Sequence, residues 1–183
     1  MALYTVSYPF PIGDKAPAFE NLLGTDGKTY SLATFSDKQI LILVFMANRC
    51  PTARVYTDRL KAIQSDYGGR DVQLVAVNSD NPYFFSIESL DKMLGIAEER
   101  SYNFPYLKDQ DQSVAKKYGA LVTLHAFLLD GERRLRYRGR IDDSRDASKV
   151  TVSDLRNAVD DLLEGKPVRV PETRPFACSI EYF

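Results

Sequence analysis

The sequence has no tryptophan, one histidine and two cysteines in 183 residues, and these scarcities exclude several chemistries. Structural zinc usually takes four Cys or His ligands. His125, Cys50 and Cys178 make only three, dispersed along the chain, so neither a metal nor a cofactor is expected. Two cysteines are also too few for a disulfide scaffold. Charge of one sign is missing too: 24 Lys and Arg against 25 Asp and Glu leave a net charge of -1. That balance gives no electrostatic reason for a nucleic acid or an anionic membrane as partner. The longest apolar run, 40–47, is far too short to cross a bilayer. The opening MALYTVSYPFPIGD lacks the basic and then apolar order of a secretory signal. The expected compartment is the cytoplasm, and whatever chemistry the chain performs falls to a thiol.

What is present reads as an ordinary globular domain, 44% hydrophobic and 27% charged, spanning 1–183 with a tail over 167–183. Pro9, Pro11 and Pro17 make the opening an extended lead-in rather than a helix. QILILVFMA, 39–47, is apolar without alternation, the pattern of a strand covered on both faces. Pro51 then opens a helix in which Val55, Tyr56, Leu60, Ile63 and Tyr67 form the apolar stripe and Gly68-Gly69 the stop. Residues 72–77 form a second buried strand, expected to lie parallel to the first. Helices over 89–99 and 113–118 follow, with an extended piece at 104–107 between them. A hairpin is expected around Asp130-Gly131, and a last amphipathic helix runs over 152–163. This order suits an α/β fold, a central mixed sheet flanked by helices.

Cys50 falls where the buried strand meets the helix that starts at Pro51. Free amides and the positive end of the helix dipole stabilise an anion there, which favours thiolate, and Arg49 adds a neighbouring cation. The bland alternative is a small apolar residue packed at a strand end. His125 reads as a packed residue rather than a base. Arg138 and Arg140 read as surface partners of Asp142 and Asp143.

The segment FMANRCPTAR, 45–54, resembles the strand-to-helix junction of the thioredoxin superfamily. The matching segments extend further: IGDKAPAFENLLGTDGKTYSL, NRCP, YTDRL, FPYLKDQDQSVAKKYGA, YRGRIDDS and CSIEY. Together they resemble the peroxiredoxin-like subgroup of the AhpC/TSA redoxins over nearly the whole chain. The resemblance implies a thioredoxin-like fold and thiol–disulfide or antioxidant redox chemistry, with Cys50 as nucleophile and Arg49 favouring its thiolate. The implied partners are a protein or small-molecule disulfide, or a peroxide, with an external thiol as reductant. A homodimer is compatible with the pattern.

Departures from the family pattern are equally specific. Ala53 stands where C-x-x-C proteins have their second cysteine. Leu43 and Ala47 replace the proline and hydroxyl residue of the peroxidatic signature, which argues against strong peroxidase activity. Val122-Thr123-Leu124 stands where relatives carry Cys-Thr-Pro, a segment whose backbone before the proline docks substrate; Thr123 inherits that position. With leucine in place of proline a trans peptide is expected. Cys178 is either the resolving cysteine, in a tail free to swing, or a passive thiol. The competing reading of the whole chain is a non-catalytic thioredoxin-fold scaffold with a degenerate site.

Overall fold

The computed structural model describes residues 7–183; residues 1–6 of the lead-in lie outside them. Two long apolar runs form its centre. β3 (Ile40–Met46) and β4 (Val72–Asn78) pair in parallel from Ile40–Val72 to Met46–Asn78, joined by α1 (Pro51–Tyr67) as expected from the sequence. All seven β3 residues are buried. Ile40, Ile42, Val44 and Met46 face a core built with α1, and Leu41, Leu43 and Phe45 face the opposite core. Helices on both faces remove any reason for polar alternation, so the run stays apolar throughout.

The remaining strands are β1 (Leu22–Gly24), β2 (Thr29–Tyr30), β5 (Tyr106–Lys108), β6 (Ala126–Leu129) and β7 (Leu135–Gly139). The sheet order is β2-β1-β5-β4-β3-β6-β7, with β6 antiparallel to β3 and to β7. α2 (Leu90–Glu99) and α4 (Asp154–Leu163) contribute Met93, Leu155, Ala158 and Val159 to the α1 face. α3 (Ser113–Tyr118) packs Val114, Ala115 and Tyr118 on the other face with Phe10, Phe19 and Phe35. The fold is α/β with a mixed sheet between helices.

Local details correct the sequence reading. In α1 the buried residues are Ala53, Tyr56, Thr57, Leu60, Ile63 and Tyr67, a 3.6-residue stripe. Val55 is five positions from Leu60, on the far side of the helix, and is 46% exposed. The helix ends at Tyr67 with Gly68 as its C-cap, as the glycine pair suggested; Gly68 keeps right-handed geometry, and the left-handed residue is Asp71, φ 57°, after a short 3-10 segment. Arg138 pairs with Glu172 at 2.9 Å and Arg140 with Asp154 at 2.7 Å, so neither serves Asp142 or Asp143. Asp142 instead binds Arg59 and the Tyr56 hydroxyl.

The tail, expected to be unattached, is packed against the domain. The Arg138 N–H donates to the Pro171 carbonyl (3.0 Å) and the Thr173 N–H to the Arg138 carbonyl (3.1 Å), which covers the β7 edge. Gly139, at φ +149°, permits this approach: a Cβ there would stand 2.1 Å from Thr173 Oγ1 and 2.6 Å from the Thr173 carbonyl. The tail then crosses toward the β3–α1 junction.

Two outcomes follow from this packing. Leu43→Ala removes a fully buried side chain from the central strand and should cost about 2–5 kcal/mol in urea unfolding. Gly139→Ala should lift the tail near Thr173, read as faster hydrogen exchange at the Arg138 and Thr173 amides with β3 and β4 protection retained.

Candidate active site at the β3–α1 junction

Chain direction places the site. β3 ends at Met46, and Cys50 is the N-cap of α1, with φ −74° and ψ 114°, ahead of Pro51 in the first turn. Proline loses nothing there, because the first helical N–H has no intrahelical partner. Cys50 is 1% exposed, packed in the α1-side core with Cys178 of the tail against it. Cys50 Sγ and Cys178 Sγ are 2.7 Å apart, and both cysteines are free thiols.

The pair is electrostatically asymmetric. Burial pushes the Cys50 thiol up, but the Cys178 side chain and the nearby backbone N–H groups of Ala53, Cys178 and Thr52 bring it below the ordinary value. Cys178 is pushed up to about 11 by burial, by that same bond and by the neighbouring Cys50 charge. Of the two thiols, Cys50 is thus the one that gives up its proton more readily.

Arg49 points elsewhere than the sequence suggests. Its Nε donates to Asp80 Oδ2 at 2.7 Å and its Nη2 to the Ser179 carbonyl at 2.8 Å. Glu181 Oε1 is 3.8 Å away, and the guanidinium lies 4.2 Å over the Phe85 ring. Its charge offsets part of the upward push on Cys178, while hydrogen bonds are what lower Cys50.

Thr123 meets the tail through its backbone. Its N–H donates to the Cys178 carbonyl at 2.9 Å, and Val122 bridges Ser179 in antiparallel fashion. The Thr123–Leu124 peptide is trans, and Leu124 adopts φ +64°. There its N–H reaches the Phe45 carbonyl at 2.6 Å. A proline at 124 has neither that N–H nor that φ. His125 is fully buried; its Nδ1 accepts from the Leu121 N–H at 3.3 Å, and burial lowers its pKa to about 3. It is neutral at physiological pH.

Several site residues went unread in the sequence. Glu88 is fully buried, and its carboxylate accepts from the N–H groups of Asn48 (2.8 Å) and Arg49 (2.7 Å) and from Asn78 Nδ2 (2.7 Å). It fixes the loop immediately before Cys50. The Tyr106 hydroxyl donates to Asn48 Oδ1 at 2.9 Å. Lys108 Nζ donates to the Asp80 carbonyl at 2.7 Å and supplies positive charge beneath the carboxylates; burial lowers its pKa against the pull of Glu88, Asp80 and Asp109. The usable signal was the polar run Asn78-Ser79-Asp80-Asn81, which begins at the last residue of the buried strand β4. Carboxyl ends of parallel strands are where α/β sheets gather binding groups.

A family model for redoxins matches residues 11–159. The chain is a redoxin. This redoxin shares 33% identity over 138 residues with the thiol:disulfide interchange protein DsbE of Yersinia pestis, covering 69% of the chain and 63% of that protein's length. A hypothetical protein, SMc02350, from Sinorhizobium meliloti superposes with a TM-score of 0.88 at 39% identity, over 95% of this chain and 96% of that one. An uncharacterized conserved protein from Geobacillus kaustophilus does so at 0.89 and 33%, over 100% and 98%. Peroxidoxin BcpB of Mycobacterium tuberculosis, at 20% identity and a TM-score of 0.62 over 84% and 94%, shares the fold.

Glu88→Ala leaves two backbone N–H groups unpaired and should cost roughly 2–5 kcal/mol, with Glu88→Gln costing less because one acceptor survives; denaturant titration measures both. His125 should make the fold acid-sensitive. Its pKa is about 3 folded and near 6.5 unfolded, so between those values the unfolded chain binds the extra proton. Stability should therefore fall with falling pH across that window, by up to ~1.4 kcal/mol per unit. His125→Asn, whose amide oxygen can take the Leu121 N–H, should flatten that part of the curve.

Proposed function

We propose that this redoxin, a thiol oxidoreductase by family, reduces disulfides with Cys50 as the nucleophile and Cys178 as the resolving thiol. The observation that carries the reading is the 2.7 Å approach of the two sulfurs within one chain, against ~2.05 Å for a formed bond. The Cys50 thiolate attacks one sulfur of a protein or small-molecule disulfide, forming a mixed disulfide and releasing the other sulfur as thiolate. Cys178 then loses its proton and attacks the Cys50 sulfur. The Cys50–Cys178 disulfide forms, the second substrate thiolate leaves, and the substrate has gained two electrons. An external thiol reductant returns the pair to its starting state. No second protomer is needed for the bond to close.

Peroxide is the less favoured oxidant. Leu43 and Ala47 are apolar, and the Arg49 guanidinium is committed to Asp80 and the Ser179 carbonyl. Positions 43 and 47 thereby offer no hydroxyl, and Arg49 is already engaged, when a peroxide reaches Cys50.

Cys50→Ser should abolish disulfide reduction in a coupled thiol assay. Cys178→Ser should retain one attack per molecule and stall as the mixed disulfide, visible by intact-mass spectrometry. In Cys178→Ala the pH midpoint of Cys50 alkylation should rise relative to wild type, since the S–H donor is gone. Undiminished turnover in Cys50→Ser would refute the reading.

A further inference from the structure

The grip on the tail extends beyond the sulfurs and is made largely to backbone atoms. Asp80 is 2% exposed and divides its carboxylate: Oδ2 takes Arg49 Nε at 2.7 Å, and Oδ1 takes the Glu181 N–H at 2.8 Å. Gln112 is 1% exposed and uses both ends of its amide. Its Nε2 donates to the Glu181 carbonyl at 2.7 Å and to the Ser79 carbonyl at 2.8 Å, while Oε1 accepts from the Phe183 N–H at 3.0 Å. Arg49 holds the Ser179 carbonyl. Ile180, between these anchors, is buried in the core on the α3 face. Four backbone groups of Ser179, Glu181 and Phe183 thus meet buried or half-buried side chains of the sheet end. These side chains direct their hydrogen bonds to backbone and carboxylate groups rather than to the sulfurs.

We propose that Asp80, Gln112 and Arg49 form a receptor for the extended backbone of residues 179–183, and that this grip, acting as a positioning device, holds Cys178 against Cys50. The inference deepens the dithiol reading above and rests on it for its kinetic consequence. A tethered thiol acts through its effective concentration, which the anchoring contacts set. While the strand is seated Cys50 is closed off; release of the strand opens it to a substrate disulfide, and reseating delivers Cys178 to the mixed disulfide. The Glu181 carboxylate, half-exposed and 3.8 Å from Arg49, adds little. The receptor therefore reads the tail's main chain rather than that side chain.

The test compares full-length wild type with Gln112→Ala, Asp80→Ala, Asp80→Asn, Glu181→Pro and Glu181→Gln. Glu181→Pro removes the N–H that Asp80 accepts by changing an exposed tail residue, so a folding defect in the core variants does not leave the question open. Two rates are measured at fixed pH: iodoacetamide alkylation of reduced Cys50, and closure of the Cys50–Cys178 disulfide after one equivalent of a small aromatic disulfide. The midpoint potential of the pair against glutathione is the third readout. Gln112→Ala, Asp80→Ala and Glu181→Pro should each speed alkylation and slow closure by roughly tenfold, and raise the potential, because a looser strand favours the open dithiol. Asp80→Asn, which keeps an oxygen for the Glu181 N–H, should be partly restored, and Glu181→Gln should match wild type. Wild-type rates and potential in Glu181→Pro and Gln112→Ala would overturn the receptor while leaving the dithiol chemistry standing. Failure of wild type to close any Cys50–Cys178 bond would refute the dithiol reading instead, and the alkylation rates would still decide whether the strand is gripped.

Discussion

The short antiparallel contact between the tail and the 121–123 segment, with the Thr123 N–H on the Cys178 carbonyl at 2.9 Å, is the constraint on which the site depends. It sets the height of Cys178 above the end of the sheet. The left-handed Leu124 makes that contact available by turning its own N–H inward to Phe45. A left-handed leucine costs on the order of 1–2 kcal/mol, offset here by the Phe45 bond and by burial of the side chain. From that pairing follow the closed Cys50, the asymmetric thiol pair and the path of the last residues over Asp80 and Gln112.

A second layer lies beneath the thiols. Glu88, Asp80, Lys108 and Asp109 are all buried within a short stretch of the sheet's carboxyl end. Isolated charges in such surroundings would be very costly. Here each carboxylate is satisfied by N–H or hydroxyl donors: Glu88 by two loop amides and Asn78, Asp109 by Ser79 and the Val114 and Ala115 amides. This network ties the loop before Cys50 to β4 and β5, which in the proposed reaction gives the nucleophile a fixed base while its partner is carried on the tail.

The α/β architecture, the parallel pairing of β3 with β4 and the place of Cys50 at a helix start were legible in the sequence. Two unalternated apolar runs around one amphipathic segment admit few arrangements. Proline after a strand marks a helix start through its missing N–H and preset φ. The roles of Arg49, Arg138 and Arg140 were not legible, because a long guanidinium reaches partners that only the folded chain brings near. The tail, bounded by Pro167, Pro171 and Pro175, showed no periodicity, since its order comes from backbone bonds to distant residues rather than from its own pattern of side chains.

By itself the sequence determined what periodicity and local backbone chemistry encode: the strands, the helices and a thiol at a helix N-terminus. Tertiary structure alone decided that Cys178 meets Cys50, that Arg49 serves the tail, and that Glu88 and Gln112 belong to the site. The physical reason is range. Hydrophobic patterning and capping act over one or two turns of chain, whereas these contacts join residues brought together only when the core on both faces of the sheet has closed.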